Sequence, residues 1–240
     1  MGTVAVVLGL GLGMLAVERL RPGRRFVPAT GWWTRALVLN AVQAAVAFAG
    51  AATWDRWLPT LATWHLDAGG MLANGVLGYV ALTFVYYWWH RARHEVPFLW
   101  RWLHQVHHSP CRIEVLTAFY KHPAEIVLNG VLSSSILFVL LGLDAPAAAL
   151  AVLLTGLAEL FYHWNVRTPR WLGCILQRPE SHCVHHERGR HTNNFSDLPL
   201  WDIAFGTFEN PECGPADCGF GPRRERDLIR LLLGHERASE

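Results

Sequence analysis

"HRARHEVPFLWRWLHQVHH", residues 90–108, places five histidines in nineteen positions, directly after an apolar and aromatic run. Imidazole is the commonest metal ligand and the one side chain that ordinarily titrates near neutral pH. A metal site, a proton relay and a chance grouping are therefore the readings to separate. The run before it, residues 68–89, carries no charge between Asp67 and His90. It is long enough to span a bilayer, which takes about 20 mainly apolar residues. The fold class then turns on whether the chain holds other runs of this kind.

It does. Residues 1–17, 36–54, 126–143 and 145–158 are also free of Asp, Glu, Lys and Arg. The last two are short, and the tight "GLDAP" connection between them predicts a helical hairpin that enters and returns to the same side. Composition agrees: 52% of residues are hydrophobic and 17% charged, below the quarter or so charged that soluble domains carry. The chain is thus expected to be all-α, an integral, multi-pass membrane bundle of four to five apolar segments under a cytosolic histidine-rich helical cap. A single domain over 1–240 is expected, with N-terminal membrane helices in 1–67, a motif-bearing core at about 86–208 and a tail over 209–240. The first segment lacks a positive n-region and is followed by Arg19, Arg21, Arg24 and Arg25, which favours a retained helix over a secretory signal. The tail's amphipathic "RDLIRLLLGHE" suits either the membrane surface or packing on the domain.

The net charge is only +2, and no basic tract interleaves with aromatics, so nucleic acid is not an expected partner. Five cysteines (111, 174, 183, 213, 218) are odd in number and form no CxxC, which reads as reduced thiols in a cytoplasmic setting. Basic residues set the orientation. Arg19, Arg21, Arg24, Arg25 and Arg35 occupy 18–35, five more lie in 90–123, and 55–67 holds only Arg56. Loops 18–35 and 90–123 and the chain from 164 are expected in the cytoplasm. Trp54, Trp57 and Trp64 mark one interface, and Trp88, Trp89, Trp100 and Trp102 the other. Every histidine but His65 then lies on or just inside the cytoplasmic face.

Three histidine patterns stand out. His90 and His94 form HxxxH, an i,i+4 pair on one helical face. His104, His107 and His108 form HxxHH, and His182, His185 and His186 repeat it. On a helix, that spacing lets one face present two or three imidazoles to one point. Eight imidazoles exceed the four ligands of a closed structural zinc site and suit two metals with positions left open. His163 in "ELFYHWN" and His122 in "YKHPAE" are further candidates at span boundaries, as is His191 in "GRHTNNF". Glu159, four residues before His163, is an intramembrane carboxylate and so a candidate functional group.

Imidazoles with few carboxylates are compatible with iron, copper or zinc. A site at the cytoplasmic rim of a helical bundle can take an acyl chain or ring from the bilayer and electrons from the cytosol, which suits oxygen chemistry at iron. A multi-haem electron carrier or metal-handling protein is the rival from another class. A zinc hydrolase would want HExxH, which is absent from the chain.

Taken in order, "HRARH", "LWRWLHQVHHS", "KHPAE", "HWN", "HCVHH" and "NNFSDLPLWDIAFGTF" resemble the fatty acid hydroxylase and sterol desaturase superfamily, from about Tyr86 to Phe208. The resemblance implies a membrane-bound, non-haem di-iron oxygenase that hydroxylates or desaturates a lipid with O2 and two electrons. It implies His90, His94, His104, His107, His108, His182, His185 and His186 as ligands, with His163 as another. Some relatives carry histidine where this chain has Glu159, so that carboxylate is either a ligand or is replaced by water. Glu95 matches the "HE" of the ether-lipid monooxygenase branch and is either an orienting group or an exposed acid beside Arg91. Asn165 and Asn194 match asparagines expected to orient ligands, and Trp201 and Asp202 are expected to hold the cap together. Two iron ions are implied, with zinc possible as isolated. The implied electron source is a separate reductase or carrier: a small haem protein, a ferredoxin or a pterin.

Overall fold

Helix boundaries follow from capping and from proline. The computed structural model describes residues 2–235. The first apolar run forms α1 (Gly2–Leu20) and the second α2 (Trp32–Ala52), followed by short helical turns through Leu61. The third forms α3 (Met71–Glu95), which carries the apolar run on through both histidines of HxxxH. It stops because Val96 precedes Pro97 and takes extended dihedrals, as a residue before proline prefers. α4 (Pro123–Ser134) begins with Pro123 in its first turn, capped by the His122 ring, which accepts from Ala124 N–H. It runs on as a widened π turn through Leu140. Asp144 caps α5 (Ala145–Tyr162) by accepting from Ala147 N–H. Two short helices complete the site end, α6 (Pro179–His185) and α7 (Pro199–Phe205). There is no strand among the described residues, only an isolated bridge between Glu187 and Cys218.

Among the described residues, four helical stretches are long and apolar enough to cross a membrane: Trp32–Leu61, Met71–Glu95, Pro123–Leu140 and Ala145–Tyr162. α3 and α5 form the main helix–helix contact. Their backbones approach closely because small residues face one another, as in other membrane bundles. A Cβ at Gly75 would lie 2.9 Å from Leu150 Cβ, and one at Gly78 2.8 Å from a Leu143 methyl. Ala147, Ala148 and Ala151 sit in the same core with Tyr79, Leu82 and Leu137.

The α4–α5 connection is as tight as expected, but the two helices find different partners. α5 packs on α3 and α1, while α4 packs on α2. The start of α4 and the end of α5 still reach one face, since Glu125 meets His104 and His163 meets His182. α1 ends there too: the Glu18 carboxylate accepts from Val115 N–H and Asn165 N–H. A second core joins Trp32, Ala36 and Leu39 of α2 to Val106, Leu116, Tyr120 and the tail's Leu231. Of the two settings open to the tail, its described part takes the second and packs on the domain.

Candidate metal centre

Each histidine reaches the centre by a different local device. His90 and His94 lie one turn apart at the end of α3. After Pro97, residues Trp100–His104 wind into a π turn closed by Gln105 N–H to Trp100 O at 2.9 Å. Such wide turns are frequent at functional sites, and this one delivers His104 back against α3. His163 is the C-terminal cap of α5. His182 and His185 project from α6, with His186 as its cap.

The nine form two groups. His90, His94, His104, His108 and His185 make one, and His107, His163, His182 and His186 the other. Within each, one ligand nitrogen per ring lies within 4.8 Å of all the others. Neither HxxHH presents its imidazoles to a single point. The i,i+4 pair His104/His108 serves the five-histidine group while His107 serves the other. In the third box His182/His186 serves the four-histidine group and His185 crosses over. Neighbouring helical residues point about 100° apart, so adjacent histidines diverge. Where they meet, His108 stacks on His186 at 4.1 Å between ring centroids. Rings packed this closely on one another leave no slot for a porphyrin plane, which disfavours the haem reading.

The hydrogen bonds fix the tautomers. His90 Nδ1 bonds Phe195 O at 2.8 Å, His185 Nδ1 bonds Asn193 O at 2.7 Å, and His163 Nδ1 bonds Glu159 O at 2.8 Å. A carbonyl only accepts, so in these rings Nδ1 holds the proton and Nε2 is a bare lone pair when the ring is neutral. His104 Nδ1 likewise faces the Glu125 carboxylate at 3.0 Å. Yet His90 Nε2 and His104 Nε2 are 2.9 Å apart. His163 Nε2 and His182 Nε2 are 3.0 Å apart. The His90 and His104 lone pairs, facing at 2.9 Å, repel unless a cation lies among them. His94 Nε2, His185 Nε2, His107 Nδ1 and His186 Nδ1 are buried with no partner at all.

Burial also keeps the rings neutral, as ligation requires. It brings His163 and His185 down to about 3. Burial, reinforced by charged neighbours, holds His104, His107, His108, His182 and His186 well below the ordinary range. An all-imidazole donor set fits first-row transition metals such as iron, copper or zinc.

The remaining candidates lie around the groups. His191 touches the five-histidine group from outside, its Nδ1 3.1 Å from His108 Nδ1. Burial lowers it to about 4. His122 lies outside both groups, with its two ring nitrogens engaged by Ala124 N–H and Leu232 O. The Glu159 carboxylate pairs with Lys121, and only its backbone carbonyl serves a histidine. Glu95 is an exposed partner of Arg91. Asn165 ties Arg24 to the end of α5 and touches no imidazole. Asn194 spans Ser181 O and Glu209, bracing α6 rather than a ring. Trp201 bonds Thr83, and Asp202 accepts from Phe195 N–H and Ser196 N–H. Trp100, expected as an interface marker, packs on the rings of His94, His108 and His191.

Sequence reading passed over four supports. Glu125, fully buried, bridges His104 and Arg93. Gln177 Nε2 lies 2.6 Å from His182 Nδ1. The other two are the backbone carbonyls of Asn193 and Phe195. Glu125 did leave a signal, as a carboxylate in the first turn of an otherwise apolar helix. Gln177 and the carbonyls left none.

The Fatty acid hydroxylase family model matches residues 75–207, more than half of the chain. Human alkylglycerol monooxygenase is 34% identical over 139 residues, covering 55% of this chain and 29% of that protein. Ornithine lipid hydroxylase OlsE of Rhizobium tropici is 35% identical over 150 residues, 60% of this chain and 44% of the relative. Very-long-chain aldehyde decarbonylase GL1-5 of Oryza sativa subsp. indica is 29% identical over 161 residues, 62% and 25%. The match thus spans less than half the length of each of these relatives. No solved structure shows significant similarity. Both histidine groups lie inside the matched residues, and on that footing the chain belongs to the fatty acid hydroxylase family.

Proposed function

We propose that the protein is a membrane-bound, non-haem di-iron oxygenase that hydroxylates, or desaturates, a lipid. The carrying observation is the pair of abutting histidine groups whose ring nitrogens converge, with the bare Nε2 atoms of His90 and His104 facing each other at 2.9 Å. Five ring nitrogens would hold one iron and four the other, a donor set of the kind iron accepts. Two bound irons would supply reductive activation of O2, which with two electrons and two protons yields an alcohol and one water.

The chain's own groups prepare for this. Glu125, Gln177 and the carbonyls of Phe195, Asn193 and Glu159 orient the rings from behind, as outer partners of ligating histidines do. Burial of His104, His107, His108, His163, His182, His185 and His186 excludes bulk water. The apolar spans admit a lipid from the bilayer, and the similarity to alkylglycerol monooxygenase and ornithine lipid hydroxylase supports that substrate class. The basic loops 18–35 and 90–123 support a cytoplasmic face for the site. There a separate small haem protein, ferredoxin or pterin donor delivers electrons.

Comparative lipidomics tests the reading. Cells expressing the protein should accumulate a lipid heavier by one oxygen, or lighter by two hydrogens for desaturation, and His107→Ala should abolish the change. Folded, iron-loaded protein that produces neither shift, or His107→Ala that retains it, would overturn the proposal.

A further inference from the structure

One loop stands behind most of the five-histidine group. Phe195 O takes the proton on His90 Nδ1, Asn193 O that on His185 Nδ1, and the His191 ring meets His108 Nδ1 at 3.1 Å. Three of the five imidazoles thus find their outer partner within residues 191–195, and a fourth, His104, has Glu125. Among the described residues, no ring of the four-histidine group hydrogen-bonds this loop. His163 and His182 use Glu159 O and Gln177 instead.

The loop holds an unusual backbone to do this. His191, Asn193 and Asn194 have φ of 44°, 67° and 49°. That left-handed region is uncommon outside glycine, though asparagine tolerates it best. Such conformations persist only where surrounding contacts over-determine them, and they cluster at functional sites. Here the contacts are explicit. Asn193 Nδ2 reaches the Glu209 carboxylate, and Asn194 clamps Ser181 O and Glu209. Asp202 accepts from Phe195 N–H at 2.8 Å and from Ser196 N–H at 3.0 Å. The left-handed turns aim the Asn193 and Phe195 carbonyls at His185 and His90 while leaving the His191 side chain between His108 and Phe220.

We infer that residues 191–195 are a positioning loop for the five-histidine metal site alone, fixing the tautomer and direction of three of its ligands. The inference rests on reading the two groups as two metal sites. His191 and Asn193 therefore govern how tightly one metal is held, without being ligands themselves.

The test uses the full-length protein in detergent, loaded with Co(II), with bound metal counted per chain and release followed under chelator. Wild type should hold two. Asn193→Gly keeps the carbonyl and accepts positive φ, so both ions should be released at wild-type rates. Asn193→Val loses the same side-chain bond but resists positive φ, so one ion should leave at least about tenfold faster. The absorption spectrum of the ion that remains should match that of His185→Ala, which deletes a ligand of the same group. His191→Ala should likewise speed release of one ion and His191→Asn restore it, a pair that decides the matter should Asn193→Val not fold. Equal behaviour of the two Asn193 variants, or faster loss of both ions together, would overturn the loop's role. Wild type holding fewer than two ions would instead overturn the two-site reading beneath it.

Discussion

The outer partners of His90, His104 and His108 lie 105, 21 and 83 residues away along the chain. Those of His163 and His182 lie four and five residues away. The five-histidine group is therefore oriented by tertiary contacts, and the four-histidine group largely by its own helix ends. A local partner forms with its helix. A distant one forms only when α3, α4 and the loop at 191–195 have come together. The two groups should accordingly differ in how damage spreads to them, although both are built from one repeated HxxHH.

The sharpest way to break this comparison is to remove adjacent histidines. His185→Ala and His186→Ala are neighbours on α6 but belong to different groups. Each should lower lipid turnover by more than about 100-fold, a loss beyond what an outer-partner mutation brings. Metal analysis should find one ion left in each variant, in opposite groups. Loss of both ions from either variant would mean that the groups are one unit.

Glu125→Gln comes next. It removes the charge that Arg93 and His104 share, so affinity at the five-histidine group should fall by about 10- to 100-fold. Leaving Arg93 buried without its counter-charge should also cost about 3 kcal/mol of stability. Competitive metal titration and thermal unfolding measure the two effects separately. The four-histidine ion should keep its affinity.

Gln177→Ala probes the other side. His182 remains on its helix without the amide, so a loss of about tenfold is expected, confined to the four-histidine group. A larger effect at the five-histidine group would erase the distinction between them.

The smallest expected effect concerns Asp202, which pins the loop at Phe195. Burial raises its carboxyl to about 6, against opposing hydrogen bonds from Thr207, Phe195 and Ser196. A raised folded pKa means that its contribution is complete below about 4 and is lost as pH rises through about 6. The gap in melting temperature between wild type and Asp202→Asn should therefore shift in favour of the variant as pH rises across that window. A gap independent of pH would show that Asp202 does not titrate there.

Much of the site was legible in the residues. Uncharged runs announced the spans, because a bilayer demands about 20 apolar residues whatever the sequence around them. The three histidine patterns announced eight of the nine residues that the fold gathers, because their spacing is local and imidazole has few other reasons to recur so densely. His122 and Glu159 were harder. Each sits at a span boundary beside the site, and only the positions of Ala124, Leu232 and Lys121 show where their polar atoms go.

By itself, then, the sequence determined an all-helical membrane protein and which imidazoles crowd its site, since composition and short-range spacing carry both. Tertiary structure alone decided how those imidazoles divide into five and four. It also decided which nitrogen of each ring faces inward and which loop holds it there. A ring's tautomer depends on whatever lies behind it, and for the five-histidine group that is mostly a backbone carbonyl, a carboxylate or a ring brought in from distant chain, which no pattern of side chains records.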